Sequence, residues 1–271
     1  MTIRFAKLLR FCFLVFLLTL ALRPTAQADS VPVRQVGGSI HGLIEVRSED
    51  GRVVASGDIT RAVSGDRVTA QVIFRFKDGS IDEETTVYSQ HRTLLLITDH
   101  HVQKGRSFPH PIDLRIDMRS GQVTVHSTGK DGKDESESEH LDLPPDLANG
   151  MMPVLAENLR PDAPTTTVSM VVLTPKPRLV KLVISHVGDD KCFVAGAARK
   201  AIHYEIKVDL GGVAQVVAPL IGKKPPNFEL WTIGGAVTAF IREQGPLYAE
   251  GPMMTIQPAS PTWPSRPMAS H

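Results

Sequence analysis

The side chains best suited to chemistry in this sequence are its histidines and carboxylates. Asp99-His100-His101 is the most concentrated local group. An imidazole can move a proton near neutral pH, and a zinc site needs three or four such ligands converging. On a strand, His100 and His101 point to opposite faces and cannot easily share one metal. No metal is therefore expected. By strand parity His100 lies with Leu94 and Leu96, and His186 with Val180, Leu182 and Ile184. Both are expected to project inward as polar handles for a ligand. His126 and His203 fall on the polar faces of their strands. Asp82, Glu83 and Glu84 follow a turn and alternate sides, and read as a solvated strand face. Glycoside hydrolysis would need two carboxyl groups set across a cleft. A hydrolase assembled from His100, His186 and nearby carboxylates stands as one alternative.

Other signatures are missing. There is no G-x-S-x-G, H-E-x-x-H or C-x-x-C. Gly222-Lys223-Lys224 lacks the first glycine and the Ser or Thr of a phosphate loop and reads as a turn. Cys192 reads as a half-buried strand residue, with a nucleophile beside His186 as the sharper alternative. No catalytic residue and no cofactor are assigned.

The chain has 271 residues, a net charge of +1 and two cysteines. Residues 1–28 have the form of a signal peptide: Arg4, Lys7 and Arg10, an apolar run from Phe11 to Leu22, then Ala26-Gln27-Ala28. The run is about a dozen residues, against the ~20 of a spanning helix. Cleavage there would leave 243 residues, one cysteine and a net charge of −3. No basic excess would then attract nucleic acid, no second apolar run would span a bilayer, and no internal disulfide would form. The expected location is the periplasm or the exterior.

Elements that could position a site are mostly strands. Asp50-Gly51, Ser64-Gly65-Asp66, Asp78-Gly79 and Ser120-Gly121 are hairpin turn signals. Val68, Ala70, Val72, Phe74 and Phe76 alternate with polar residues, as do Ile112, Leu114, Ile116 and Met118. Lys130 to Glu139 reads as a charged hairpin tip or loop. Pro144 to Leu159 is the one helical segment, with Asn149 as cap, Pro153 in the first turn and Met151, Leu155 and Leu159 on one face. Strands resume from Val168 to Leu173, Leu179 to Val187, Lys191 to Val194, Ile202 to Leu210, Val213 to Pro219, Phe228 to Ile233, Ala236 to Arg242 and Met253 to Gln257. Ala195 to Ala201 could make a helical turn. Gly211-Gly212 and Gly234-Gly235 suit bends, with Phe228 and Trp231 supplying apolar wall. The tail from Pro258 carries four prolines in 14 residues and is expected to be disordered. The fold expected is mainly β: one β-rich domain over 29–257, a large curved antiparallel sheet or an open or closed β-barrel, with a short central helix at about 145–160.

This layout resembles the bacterial lipoprotein-carrier type of envelope protein. The resemblance rests on the signal peptide, hairpins such as Phe74-Arg75-Phe76-Lys77-Asp78-Gly79-Ser80, the helix near 146–159 and the returning strands. It implies an incomplete β-barrel with a helical lid that binds acyl chains, and it carries over no residue. The function expected is a non-enzymatic envelope protein that binds a hydrophobic small molecule or lipid. Val72, Phe74, Phe76, Leu94, Leu96, Leu114, Ile116, Tyr204 and Ile206 would line the site. Met151, Met152 and Leu155 would form the lid, where flexible methionines suit varied chains. An interaction module that pairs with an envelope protein through a sheet edge is the remaining alternative.

Overall fold

The computed structural model describes residues 30–128, 134–163, 165–173, 176–194, 197–209, 227–235, 238–248 and 250–259. Its first half is a run of hairpins: β1 (Ile40–Ser48), β2 (Val53–Ser64), β3 (Arg67–Phe76), β4 (Ile81–Gln90), β5 (Leu94–Lys104), β6 (Ile112–Asp117), β7 (Gln122–Thr128) and β8 (Asp134–His140). Four of their turns carry the expected glycine in the left-handed region: Gly51 at φ 80°, Gly65 at 59°, Gly79 at 86° and Gly121 at 70°. The second half contains the helix α1 (Met152–Asn158) and β9 (Thr166–Leu173), β10 (Pro177–Val194), β11 (Ala197–Asp209), β12 (Phe228–Ile233), β13 (Ala239–Pro246) and β14 (Met253–Pro258). The segments expected at Leu179–Val187 and Lys191–Val194 are one long strand, and the helical turn expected near residue 198 is the start of β11. The segment Val213–Pro219, Gly211-Gly212, and the tail beyond residue 259 lie outside the described residues.

All 14 described strands form one antiparallel sheet, in the order β8-β7-β6-β5-β4-β3-β2-β1-β14-β13-β12-β11-β10-β9. Two meanders are thus joined where β1 pairs with β14. The edge strands β8 and β9 follow each other in the chain. Lys176, at the β9–β10 turn, reaches Glu137 at 2.9 Å and Glu139 at 3.4 Å on β8, so the sheet curls until its edges meet through ion pairs. This is a barrel-like closure without strand pairing between β8 and β9 among the described residues. Of the charged 130–139 stretch, residues from Asp134 onward belong to the edge strand β8, paired with β7, and residues 130–133 lie outside the described residues. The acidic side chains of β8 discourage pairing with another chain.

Bulges set which residues face inward. One lies opposite Val87/Tyr88 and leaves Ile97 unpaired on β5; others fall at Val187 on β10 and at Ile241 on β13. Each shifts the inward parity by one residue, because side chains alternate with a period of two.

The segment between β8 and β9 runs inside the curl. Asp146 to Asn149 docks along the edge of β9: Ala148 N–H donates to Ser169 O at 2.9 Å, and the Asn149 amide both donates to Val171 O and accepts from Val171 N–H. Asn149 therefore does not cap the helix; Met151 occupies that position and makes no side-chain cap bond, and Pro153 sits in the first turn as expected. From there α1 touches walls on both sides. Gly150 abuts Thr86 and Asp99, Arg61 donates to Glu157 at 3.5 Å, and Phe240 N–H donates to Glu157 at 3.1 Å. Asn158 Oδ1 accepts from the N–H groups of Arg34 and Gln35, at 2.8 and 2.9 Å. Leu147, Met151, Val154, Leu155 and Leu159 are buried among wall residues of β5, β6, β9, β10 and β11. The helix is thus an internal plug, not a lid over a mouth. Its apolar residues need an apolar surround, and each fully buried aliphatic contributes ~1.5–3 kcal/mol.

Gly150 is the tightest point of this docking. Its φ is +67°, and a Cβ there would lie 1.9 Å from Thr86 Oγ1 and 2.8 Å from Asp99 Oδ1. Gly150→Ala is expected to lower the free energy of unfolding in urea by about 2–5 kcal/mol, from the left-handed backbone and the overlap together. A loss below about 1 kcal/mol would show that the segment is not held against β4 and β5.

Candidate functional site

The interior has two apolar regions. Leu94, Leu96, Leu114, Ile116, Met151, Leu155, Tyr204 and Ile206 are all buried in one cluster, with Met152 half-buried at its border. Phe74 lies in a second cluster with Ile44, Val46 and Ala55, and Val72, Phe76, Met254 and Ile256 pack on it half-buried. The structure therefore brings the expected lining residues inward, as expected, but divides them. Those around α1 pack against the plug.

Between the two regions lies a polar compartment that strand parity alone did not reveal. On β4 the inward residues are Asp82, Glu84, Thr86, Tyr88 and Gln90, while Ile81 and Val87 face the other way. Glu84 sits in register between Val72 of β3 and His101 of β5. The unpaired Ile97 places Asp99, His101 and Gln103 inside, opposite Ile116, Leu114 and Ile112 of β6. His100 is thereby turned outward. It donates from Nε2 to Asp113 at 2.9 Å, beside Arg115. It is not an interior handle, because the bulge reverses its parity relative to Leu94 and Leu96. His186 does face inward, with its ring 5.9 Å from that of Tyr204, and it bonds the Gly188 carbonyl at 2.9 Å. Trp231 also departs from expectation. It lies on the outer face, its ring stacked 4.3 Å from His203 and its Nε1 donating to Asp190 at 2.7 Å. Phe228 packs inward. Cys192 is half-buried, as expected.

Hydrogen bonds organise part of the compartment. His101 Nε2 donates to Asp82 Oδ1 at 2.8 Å, and Gln103 Nε2 donates to Asp82 Oδ2 at 3.0 Å and to Leu247 O at 2.8 Å. Thr86 Oγ1 donates to Asp99 Oδ1 at 2.9 Å. Asp99 Oδ2 is buried and has no partner, in a side chain only 2% exposed. Opposite, β13 contributes Glu243, in register with Leu230 and Ile256.

Electrostatics follow from burial. Desolvation holds Glu84 above the usual carboxylate range, with His101 opposing and Asp82 adding to the rise. Desolvation and then the Glu84 charge push Asp99 up well above its ordinary value. Burial, followed by the charge of Glu84, pushes Glu243 up to about 7. For His101, burial disfavours the imidazolium, but the hydrogen bond to Asp82 and the charges of Glu84, Asp82 and Asp99 outweigh it and push the ring up to about 9. Glu84, His101 and Glu243 are each half-buried. The charge of Glu84 acts on Glu243, so strands distant in the sheet order bring the two near each other. An open groove of about 380 Å³ is lined by Arg52, Val53, Val54, Phe76, Lys77, Asp78 and Ser107. Among the described residues no group of three His, Cys, Asp or Glu side chains converges as metal ligands would.

Sequence reasoning found neither Glu84 as an inward residue nor Glu243. The one available signal was on β4, where Asp82, Glu84, Thr86, Tyr88 and Gln90 form an unbroken polar-to-aromatic row.

No family model matches the chain, and no curated protein matches it. Among solved structures it is similar to the crystal structure of a β-barrel-like protein of a domain of unknown function from Brucella abortus. The identity is 9% and the TM-score 0.44, over 83% of this chain and 98% of that one.

The compartment has a pH signature. Glu243 is raised from 4.5 to about 7 and His101 from 6.5 to about 9, while Glu84 and Asp99 are also raised. The folded state therefore holds more protons than the unfolded chain across this range, so stability is lost as pH rises. Each extra proton contributes a slope of about 1.4 kcal/mol per pH unit. The thermal midpoint is expected to fall steadily between about pH 5 and pH 9. Glu243→Gln should flatten the lower part of that fall. A midpoint that rises, or stays level, over this window would contradict the buried cluster.

Proposed function

We propose that the protein is a non-enzymatic, secreted or periplasmic carrier that holds a hydrophobic ligand inside its curled sheet. The observation that carries this reading is the inner face of the curled sheet at Glu84, His101 and Glu243, whose half-buried side chains stand in register beside the half-buried aliphatic Val72 and Ile256. A barrel-like wall with half-buried apolar side chains suits a ligand whose burial contributes ~25 cal/mol per Å² before binding costs. The leader-like first 28 residues support export. The bound molecule would lie between the second apolar cluster and the plug, rather than among Leu94, Leu96, Leu114 and Ile116, which the plug already covers.

Native mass spectrometry of the mature protein purified from periplasm, with a solvent extract of the same sample, tests the reading. The expected result is a mass excess that matches an extracted lipid or small molecule and vanishes on unfolding and refolding. Val72→Trp should fill the compartment and weaken uptake of a naphthylamine fluorescent probe by about tenfold, with an unchanged circular-dichroism spectrum. A bare mass together with no probe uptake by the unaltered protein would overturn it in favour of a module that pairs through a sheet edge.

A further inference from the structure

We infer that the β10–β11 hairpin is an arm that docks the protein on an anionic lipid surface, with Phe193 entering the interface and Lys191 and Arg199 meeting lipid phosphates. The arm lies outside the interior, so it does not depend on the carrier reading. β10 and β11 outrun the strands beside them. β9 accompanies β10 only to Ile184, and β12 accompanies β11 only back to Ala201. Beyond those limits, among the described residues, strand residues 191–194 and 197–200 pair with each other alone. Lys191 stands opposite Lys200, Cys192 opposite Arg199 and Phe193 opposite Ala198. The end of the hairpin is thus a two-stranded ribbon that extends past both of its neighbours in the sheet.

Its charge is one-sided. Residues 191–200 hold Lys191, Arg199 and Lys200 and no carboxylate. Lys200 is bound to Asp189 at 2.6 Å. Asp190, the other acid at the root of the ribbon, accepts from Trp231 Nε1 at 2.7 Å and lies 3.4 Å from the His203 ring. Lys191 and Arg199 have no carboxylate partner among the described residues, and Arg199 reaches only the Ala198 carbonyl, at 3.2 Å. Phe193 is 75% exposed, more than any other large apolar side chain among the described residues. A lone exposed apolar residue is ordinary. This one sits on a ribbon that carries unpaired cations on both strands. Alternation puts Phe193 and Lys191 on one face and Arg199 on the other. Aromatic rings settle at the level of lipid headgroups, and long basic side chains reach phosphates from either face while their stems stay in apolar surroundings. Two unpaired cations are too few for the many phosphate contacts that hold nucleic acid, whereas beside an inserted ring they suffice for a bilayer surface.

Co-flotation of the mature protein with vesicles tests the arm. One set is phosphatidylcholine alone; the other mixes it equally with phosphatidylglycerol. Flotation is expected with the mixed vesicles only, and it should be lost at about 0.5 M salt, where screening shortens the reach of the charges. Lys191→Glu and Arg199→Glu should each weaken vesicle affinity by at least about fivefold, the worth of one cation near an anionic surface. Phe193→Ser should weaken it by about tenfold, with an unchanged circular-dichroism spectrum and unchanged uptake of the naphthylamine probe. Phe193→Trp should keep the affinity and add a blue-shifted emission on mixed vesicles that the unaltered protein does not show. Absence of flotation, equal flotation with both vesicle types, or affinity unmoved by the serine and glutamate variants would each overturn the arm while leaving the carrier reading standing. A dimer that Phe193→Ser dissolves in sedimentation velocity, without flotation, would overturn it in favour of a contact between two copies of the chain.

Discussion

Carboxyl groups inside a protein must find protons, partners or a counter-ion. Glu84, Asp99 and Glu243 come from three strands, and β13 lies far from β4 and β5 in the order of the sheet. Only curling of that sheet brings Glu243 close enough to feel the charge of Glu84. The acids therefore record the closure of the fold, and they oppose it as they ionise. His101 and Asp82 offset one part of the cost by a direct bond. The remainder is left to the raised proton affinity of Glu84, Asp99 and Glu243.

The plug divides this interior. It brings Leu147, Met151, Val154 and Leu155 against the inner faces of the walls, and its strap from Asp146 to Asn149 covers the edge of β9. Edges are where open sheets aggregate, and this chain covers one with its own backbone and charges the other. A helix so deeply docked makes the fold depend on close backbone approach at Gly150.

Much of the fold was legible in the residues, because turns and alternation are local. The glycine turns after Asp50, Ser64, Asp78 and Ser120 stand where the hairpins reverse. Phe228–Ile233 is a strand with the expected bounds. The site was not legible, because its residues depend on bulges and on closure. Leu94 to Ile97 is a continuous apolar run, so nothing in it marks Ile97 as the unpaired residue. Without that shift His100 looks inward and His101 outward, the reverse of the structure. Glu84 looked like surface because carboxylates usually are; its burial follows from the far wall, some 160 residues on. The helix occupies only Met152–Asn158 of the expected Pro144–Leu159 segment, whose first half is a strap along β9, and its position in space was not legible, since an apolar stripe states that a helix must be covered and not by what.

Carboxyl-carbon NMR titration of the side chains of Glu84 and Glu243 tests the central claim most directly. An enclosed, mutually repelling pair requires Glu84 to titrate above the ordinary carboxylate range and Glu243 near pH 7. Titration of both near 4.5, as for carboxyls in free contact with water, would contradict the compartment and the account built on it.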